Sequence, residues 1–503
     1  MITKPKVIIG AGIIGWLVVL VWSIVSYINF GANCNFLGRL NLAGIPWSLL
    51  FYPLFIASLA VSAFFAYTLI HSEAAVATVT HKKWLYAVGG LLLLAAILMP
   101  SLNTHDISFY FSAGKALSQG TNVFAQDWYM ANMYACEPKG TNLNGIMYGP
   151  ITLGFFTLVF NLSQGNFLAF VLVWKLLLLL GLFVSALVSW KIIQLLSNAK
   201  FEKLNFYLWW CVQPMIVWQW LGNGQFDVLW VVFVLLAILA AIKKYWWLVI
   251  ILLVVGIWVK FIPLLMAPWF ALWWWQDTNM SNWKQNLSQA AVGIMAGILM
   301  TYLLWNPFWQ GPQILKPILL QTKWAVSSIF SASYYSLKPL FVQLFTEKAH
   351  WILTRALHAA VFLLALYFIY PLFKKAVLVL LKRTQWQPAQ YVGAIFISML
   401  IYLAIWQKSF WPWYISWLLP FGLIYLYLSP SIFLKKILIW LSIVPLLSFY
   451  IPWIYNHVLR GTDAPSELWF QYMIVLTVWV YPLVQLFKWR KLAYDSNIEN
   501  KNQ

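Results

Sequence analysis

"WWLVIILLVVGIWVKFIPLLMAPWFALWWW", residues 246–275, carries a single charge, Lys260. Wound as a helix it is apolar on every side, and as a strand it shows no alternation, so it fits neither an amphipathic soluble helix nor a barrel strand. Val231–Ile242 upstream has the same character. A helix crossing the ~30 Å hydrocarbon core of a bilayer needs ~20 apolar residues, and such runs recur along the chain. The composition agrees: of 503 residues, 63% are hydrophobic and 9% charged. A soluble chain of that size needs far more polar surface. The reading is an all-α integral membrane protein, with Lys260 and Pro263 splitting the quoted run into two short helices that meet at the outer face.

The net charge of +20 does not imply nucleic acid. Its cations sit in short loops: Lys82 and Lys83, Lys200 and Lys203, Lys243 and Lys244, Lys374 and Lys375, Lys382 and Arg383, Lys435 and Lys436, then Lys488, Arg490 and Lys491. Clusters of this kind mark cytoplasmic helix ends and contact anionic lipid. Placing them inside gives about fourteen transmembrane helices in one polytopic domain, 1–503, with cytoplasmic termini. Residues 1–100 hold N-terminal helices near 7–29, 46–70 and 84–100; the run at Val7–Phe30 is too long for a signal peptide and is retained. Residues 101–166 form an outer loop with two juxtamembrane pieces, Ile107–Leu117 and Gly149–Leu162. Residues 167–305 are core helices, among them 167–196, 204–221 and 289–305, with an outer turn at Gly222–Asp227. Residues 306–350 are a second outer loop, and 351–503 hold helices near 351–373, 389–406, 411–428, 434–452 and 468–488 with a cytoplasmic tail. The three cysteines form no framework; Cys34 and Cys136 share the outer side, whereas Cys211 lies in a helix.

Only 12 residues are acidic. Glu73, Glu202, Asp277, Asp495 and Glu499 fall inside on this topology, and Asp106, Asp127, Glu137, Asp227, Glu347, Asp463 and Glu467 fall outside. Asp106 and Asp227 alone stand at a helix end among apolar and aromatic neighbours, where an ionisable group is costly unless partnered or useful. The outer face also gathers Lys115, Lys316, Lys323, Lys338, Lys348, Lys408 and Arg460 against the positive-inside trend. Cations beside Trp and Tyr suit a phosphate joined to a sugar. Interfacial anchoring by aromatic residues and snorkelling lysines explains many of these positions individually.

The stretch "HDISFYFSAGKALSQGTNVF", from His105 to Phe124, resembles the D-x(3)-Y-x(2)-A-x(3)-L-x(2)-G-x-N-x-[YF] pattern in the first outer loop of GT-C membrane glycosyltransferases. "YGP" at Tyr148–Pro150, "QP" at Gln213–Pro214, "GNGQFD" at Gly222–Asp227, "KFIP" at Lys260–Pro263 and "QKSFWPWY" at Gln407–Tyr414 follow in an order similar to that of glycosyltransferase family 87, the polyprenyl-phosphomannose-dependent mannosyltransferases. The resemblance spans roughly residues 100–420. It implies a plasma-membrane enzyme that moves a mannose-like hexose from a polyprenyl-phosphate sugar to a glycolipid or glycan acceptor on the non-cytoplasmic face.

Asp106 matches the family's catalytic aspartate and would act as general base on the acceptor hydroxyl. One carboxylate suffices for inversion, because a prenyl phosphate leaves without strong acid assistance; glycosidases need two. A cap on a helix starting at Ile107 is the structural alternative for Asp106, as it is for Asp227. The D-x-D of some GT-C groups is missing from His105-Asp106-Ile107-Ser108, so no metal or other cofactor is inferred. His105 would orient Asp106 or meet phosphate; Asn223, Gln225 and Asp227 would hold sugar hydroxyls. Lys260 is the leading cation for the donor phosphate, followed by Lys408, and His457 and Arg460 are further candidates. Tyr110, Lys115, Tyr148, Gln407, Trp413 and Tyr414 complete the expected substrate contacts. A polymerase or ligase of lipid-linked glycans and a lipid-oligosaccharide transporter remain as alternatives. Partners beyond the bilayer and these substrates, and the oligomeric state, stay open.

Overall fold

The computed structural model describes residues 17, 20, 21, 24, 41–42, 45–46, 79–98, 104–130, 141–146, 148–197, 210, 213–315, 333, 337, 343, 347–407, 412–454, 473 and 475–488. These are mostly helical. In chain order they form α1 (Val79–Leu98), α2 (Thr104–Ser118), α3 (Pro150–Leu162), α4 (Phe167–Leu196), α5 (Asp227–Ile242), α6 (Trp246–Val259), α7 (Ala267–Asp277), α8 (Trp283–Trp305), α9 (Glu347–Leu380), α10 (Pro388–Ile401), α11 (Ile415–Leu428) and α12 (Ile432–Ile454). Two antiparallel strand pairs accompany them: β1 (Asn41–Leu42) with β2 (Ile45–Pro46), and β3 (Asp127–Met130) with β4 (Thr141–Asn144).

Four of the described helices are long and apolar enough to cross a membrane: α4, α8, the 355–380 part of α9, and α10 with the turn that extends it to Ile405. Their outward faces argue the same way. Leu172, Leu176, Leu180, Phe183 and Leu187 form an exposed stripe at helical spacing along α4, and Met295, Ile298, Leu299 and Leu303 form another on α8. In water such contiguous apolar faces would drive association; in hydrocarbon they are at home. The expected helices near 7–29 and 46–70 lie outside the described residues, isolated positions apart, as does the start of the one expected at 204–221, whose described end is a short helix, Pro214–Ile216, running into a π-helical segment, Val217–Gly222.

Some expected limits hold and others move. α4 has the limits that its apolar run predicts. The 246–275 run does break at Lys260, whose backbone is extended (φ −155°, ψ 135°), and Pro263 sits in a short 3-10 turn before α7. α3 is a 13-residue helix, about 20 Å at 1.5 Å per residue, short of a full crossing. α8 begins at Trp283 rather than Gln289, and α9 runs 34 residues, through Pro371 and Lys374–Lys375, instead of ending at Phe373. Paired lysines mark a helix end only by their cost in a bilayer; lysine is a good helix former and does not end a helix by itself. The all-α expectation also needs correcting within residues 101–166. There β3 and β4 pair Asp127 with Asn144 through Met130 with Thr141, and alternate residues Trp128 and Met130 are buried.

By compactness the chain divides into one unit of 1–192, 199–264 and 284–321, and another of 193–198, 265–283 and 322–503. In the first unit, α6 packs on α5 and α2 packs on α3. Two glycines permit the tight contacts. A Cβ on Gly149 would fall 1.9 Å from the Trp258 carbonyl oxygen, and one on Gly224 (φ 71°) would fall 2.5 Å from Ile107 Cδ1. The Thr152 hydroxyl donates to the Val259 carbonyl at 2.6 Å, pinning α3 to the end of α6. Lys175, fully buried on α4, donates at 3.1 Å to the carbonyl of Ala96, in the last turn of α1, where carbonyls lack helical partners. In the second unit, α11 packs on α10 and α12 on α11, and Trp273 stacks on Tyr391 at 4.9 Å.

Candidate functional site

α2 starts at Thr104, two residues before Asp106, so Asp106 lies in the first turn of the helix and is not its cap. A carboxylate there is favoured by the positive end of the helix dipole. Its side chain is part-exposed, and Oδ2 accepts a 2.7 Å hydrogen bond from Nε2 of the buried Gln225. The other end of that amide is fixed as well: Gln225 Oε1 accepts from the Tyr110 hydroxyl at 3.1 Å. Asp106 and Tyr110 stand four residues apart, on one face of α2, and hold the two ends of one carboxamide. The carboxylate, which can only accept, takes the NH2 end of the amide, and the phenol, which can donate, holds the oxygen end.

The turn that delivers Gln225 follows a π-helical segment, Val217–Gly222, a form often associated with functional sites. The Gln225 N–H donates to the Gln219 carbonyl at 3.0 Å, and Trp174 Nε1 donates to the Gly224 carbonyl at 2.8 Å. The missing side chain and left-handed backbone of Gly224 let this turn approach Ile107, one residue from Asp106. Tyr110 is completely buried; it stacks on Phe156 at 4.6 Å and meets Phe226 edge-on at 5.5 Å. Its position is set by packing.

Asp227 opens α5 without capping it. Its Oδ1 lies 2.5 Å from Lys260 Nζ and also accepts from Trp230 Nε1 at 3.3 Å, while Oδ2 is buried with no hydrogen-bond partner among the described residues. Asp227 is fully buried and the Lys260 side chain is 12% exposed. The ammonium also stands 5.2 Å from the centre of the Phe226 ring. Tyr148 completes the wall, with its ring 4.8 Å from Phe226. The first unit therefore presents one part-exposed carboxylate on a rigid hydrogen-bond support, beside a neutralised, almost buried ion pair that leaves the lysine slightly open. Such a site can accept a proton at Asp106 and offer a cation at Lys260.

The other expected residues divide clearly. Asn223 is buried, and its amide donates to Gln219 at 3.0 Å; it braces the turn. Lys115 is exposed near the far end of α2, about 13 Å along the axis from Asp106. The His105 side chain, Lys408, His457 and Arg460 lie outside what is described. In the second unit, Gln407 accepts a hydrogen bond from Tyr402, Tyr414 stacks on Trp417 at 4.1 Å, and Trp413 gives its carbonyl to Ser416. Sequence reasoning missed Trp230, Trp174, Phe226 and Gln219. Trp230 carried a signal, since it follows Asp227 by three residues on a helix.

The chain matches no protein-family profile and no curated protein.

If the amide acts by aiming Asp106, Tyr110→Phe frees it to rotate. The expected result is a stability loss of about 1–3 kcal/mol, because the buried Gln225 Oε1 loses its donor, together with a fall in kcat at little-changed KM. Turnover kinetics and thermal unfolding of the same preparation check it. An unchanged kcat would make the phenol merely a packing residue.

Proposed function

We propose that the chain is a polytopic membrane glycosyltransferase of the GT-C kind, resembling family 87. It would move a hexose, mannose-like by that resemblance, from a polyprenyl phosphate to a glycolipid or glycan acceptor on the non-cytoplasmic face of the plasma membrane. The observation that carries the reading is the Tyr110–Gln225–Asp106 relay. It spends two buried polar groups on holding one part-exposed carboxylate still, which a structural carboxylate does not need. In the reaction Asp106 takes the proton from the acceptor hydroxyl as that oxygen bonds to the anomeric carbon. The bond from that carbon to the phosphate oxygen breaks, the electron pair leaves with the prenyl phosphate, and the configuration inverts. Lys260 would offset the charge growing on the phosphate, with Asp227 holding the ammonium in place until the donor arrives. The D-x-D departure leaves this base to act without a metal-bridging pair.

The buried Lys175 is what a transporter reading would invoke, because ionisable groups inside a span often mark a translocation path. Its bond to the end of α1 gives it a bracing task instead.

The reading is tested by giving the full chain in proteoliposomes a labelled hexose on either a polyprenyl phosphate or a nucleotide diphosphate. Labelling of acceptor from the prenyl carrier alone is expected. Labelling from the nucleotide donor alone would contradict it.

A further inference from the structure

At the end of α8 the first unit contains a cavity of about 340 Å³, lined by Trp258, Thr301, Tyr302, Trp305, Asn306 and Trp309. That volume falls in the ~300–1,000 Å³ range of small-molecule sites. The lining is unusual for this chain. In a sequence that is 63% hydrophobic, four of the six residues are Trp or Tyr, the other two are a hydroxyl and an amide, and none is aliphatic. A groove for an isoprenoid or acyl chain would draw on the Leu, Ile and Val that α8 has in abundance. Indole and phenol faces, electron-rich at the centre, instead suit the electropositive C–H faces of a pyranose ring, and Asn, Thr and Tyr supply donors and acceptors for its hydroxyls.

The floor of the cavity is preformed. Trp258 Nε1 donates to Thr301 Oγ1 at 2.8 Å, which orients that indole, and Trp305 meets it edge-on at 5.4 Å. The rim is open, with Tyr302 63% and Trp309 52% exposed. The cavity also adjoins the loop that leaves α2. Gly120 (φ 82°) ends that helix, the Asn122 amide donates to the Phe308 carbonyl at 2.9 Å, and Phe124 packs 4.8 Å from Trp305. Trp258 itself lies two residues before Lys260.

We infer that the Trp258–Trp305–Trp309–Tyr302 cavity is a carbohydrate-binding site, taking a pyranose unit of the acceptor beyond the one that reacts. Saccharide binding stands on the cavity alone; its assignment to the acceptor rests on the transfer reading. The acceptor is then a glycan or glycolipid with at least two sugar residues.

The test is a saturation-transfer NMR titration of the full chain in lipid nanodiscs. The probes are methyl hexopyranosides and their disaccharides in the manno, gluco and galacto series, with farnesyl phosphate as the prenyl probe. Wild type is compared with Trp309→Ala, Tyr302→Ala, Asp106→Asn and, as an exposed tryptophan elsewhere, Trp247→Ala. A saccharide that binds wild type, Asp106→Asn and Trp247→Ala alike, and at least ~10-fold more weakly to Trp309→Ala and Tyr302→Ala, is the expected result. Both rim residues are exposed, so their variants should fold. No saccharide binding, binding insensitive to both rim variants, or displacement of the saccharide probe by a prenyl probe lacking sugar would overturn the site. Binding with the expected pattern but no sugar transfer from any donor would remove the transfer reading and leave the saccharide site standing.

Discussion

Asp106→Asn should abolish most sugar transfer and leave the fold intact. Asparagine keeps the shape of the side chain, and its carbonyl oxygen can still accept the 2.7 Å hydrogen bond from Gln225 Nε2. What it lacks is the capacity to take a proton. A general base contributes ~10²–10⁴-fold, so kcat should fall by that factor at constant unfolding temperature. Transfer kinetics from one labelled prenyl-phosphate sugar give the comparison. A variant within a few-fold of wild type would reduce Asp106 to a first-turn residue that complements the helix dipole.

The second large effect concerns the Asp227–Lys260 pair and reads out as stability. Bringing a carboxylate with no solvent exposure against a lysine with 12% carries a desolvation cost that their attraction largely returns. Removing one partner leaves that cost uncompensated, at about 3–5 kcal/mol. Lys260→Met should be the more damaging single change, because the carboxylate it strands is the deeper group and keeps only the 3.3 Å contact from Trp230. Asp227→Asn leaves a lysine that can still reach some solvent. The double variant should recover part of the loss, since two neutral groups of similar size have no charge left to satisfy. Denaturant or thermal unfolding of the four proteins closes the cycle. Equal and additive losses would mean that the pair contributes no coupling. Transfer should nonetheless remain impaired in the folded double variant, because the cation proposed for the donor phosphate is gone.

Much of this was legible in the chain, for identifiable reasons. The limits of α4 follow from a long, predominantly apolar run bounded by polar residues, and the break at Lys260 follows from the one charge of its segment with a proline three residues on. Asp106 and Asp227 stand out in the sequence because ionisable groups are costly in such surroundings, and Gln225 through the Gly-Asn-Gly turn that precedes it. Their partners were harder to see. Gln225 reaches Asp106 across 119 residues, and Asp227 reaches Lys260 across 33, so only the packing of α2, α5 and α6 shows the connection. The Asp227–Lys260 pair is not read from the sequence, which assigns Asp227 to sugar hydroxyls and Lys260 to the donor phosphate. The burial of Asn223 is not read from the sequence; it follows from the π-helical turn, which folds the side chain inward onto Gln219. The β3–β4 pairing was missed because its strands are only four residues long and β4 holds two Asn, which strands disfavour. The Gly120–Phe124 stretch was noticed as a pattern, but its mechanics appear only in three dimensions, where it ends a helix, bridges to Phe308 and packs against Trp305.

The most direct check on the central claim is the fate of the anomeric carbon. Wild-type protein in proteoliposomes is given a panel of polyprenyl-phosphate hexoses of defined anomeric configuration with a glycolipid acceptor, and the product is read by NMR. The account predicts one donor consumed, one prenyl phosphate released per sugar transferred, and a product of opposite configuration. Retention of configuration would contradict a single-base displacement at Asp106, and release from no donor would contradict sugar transfer itself.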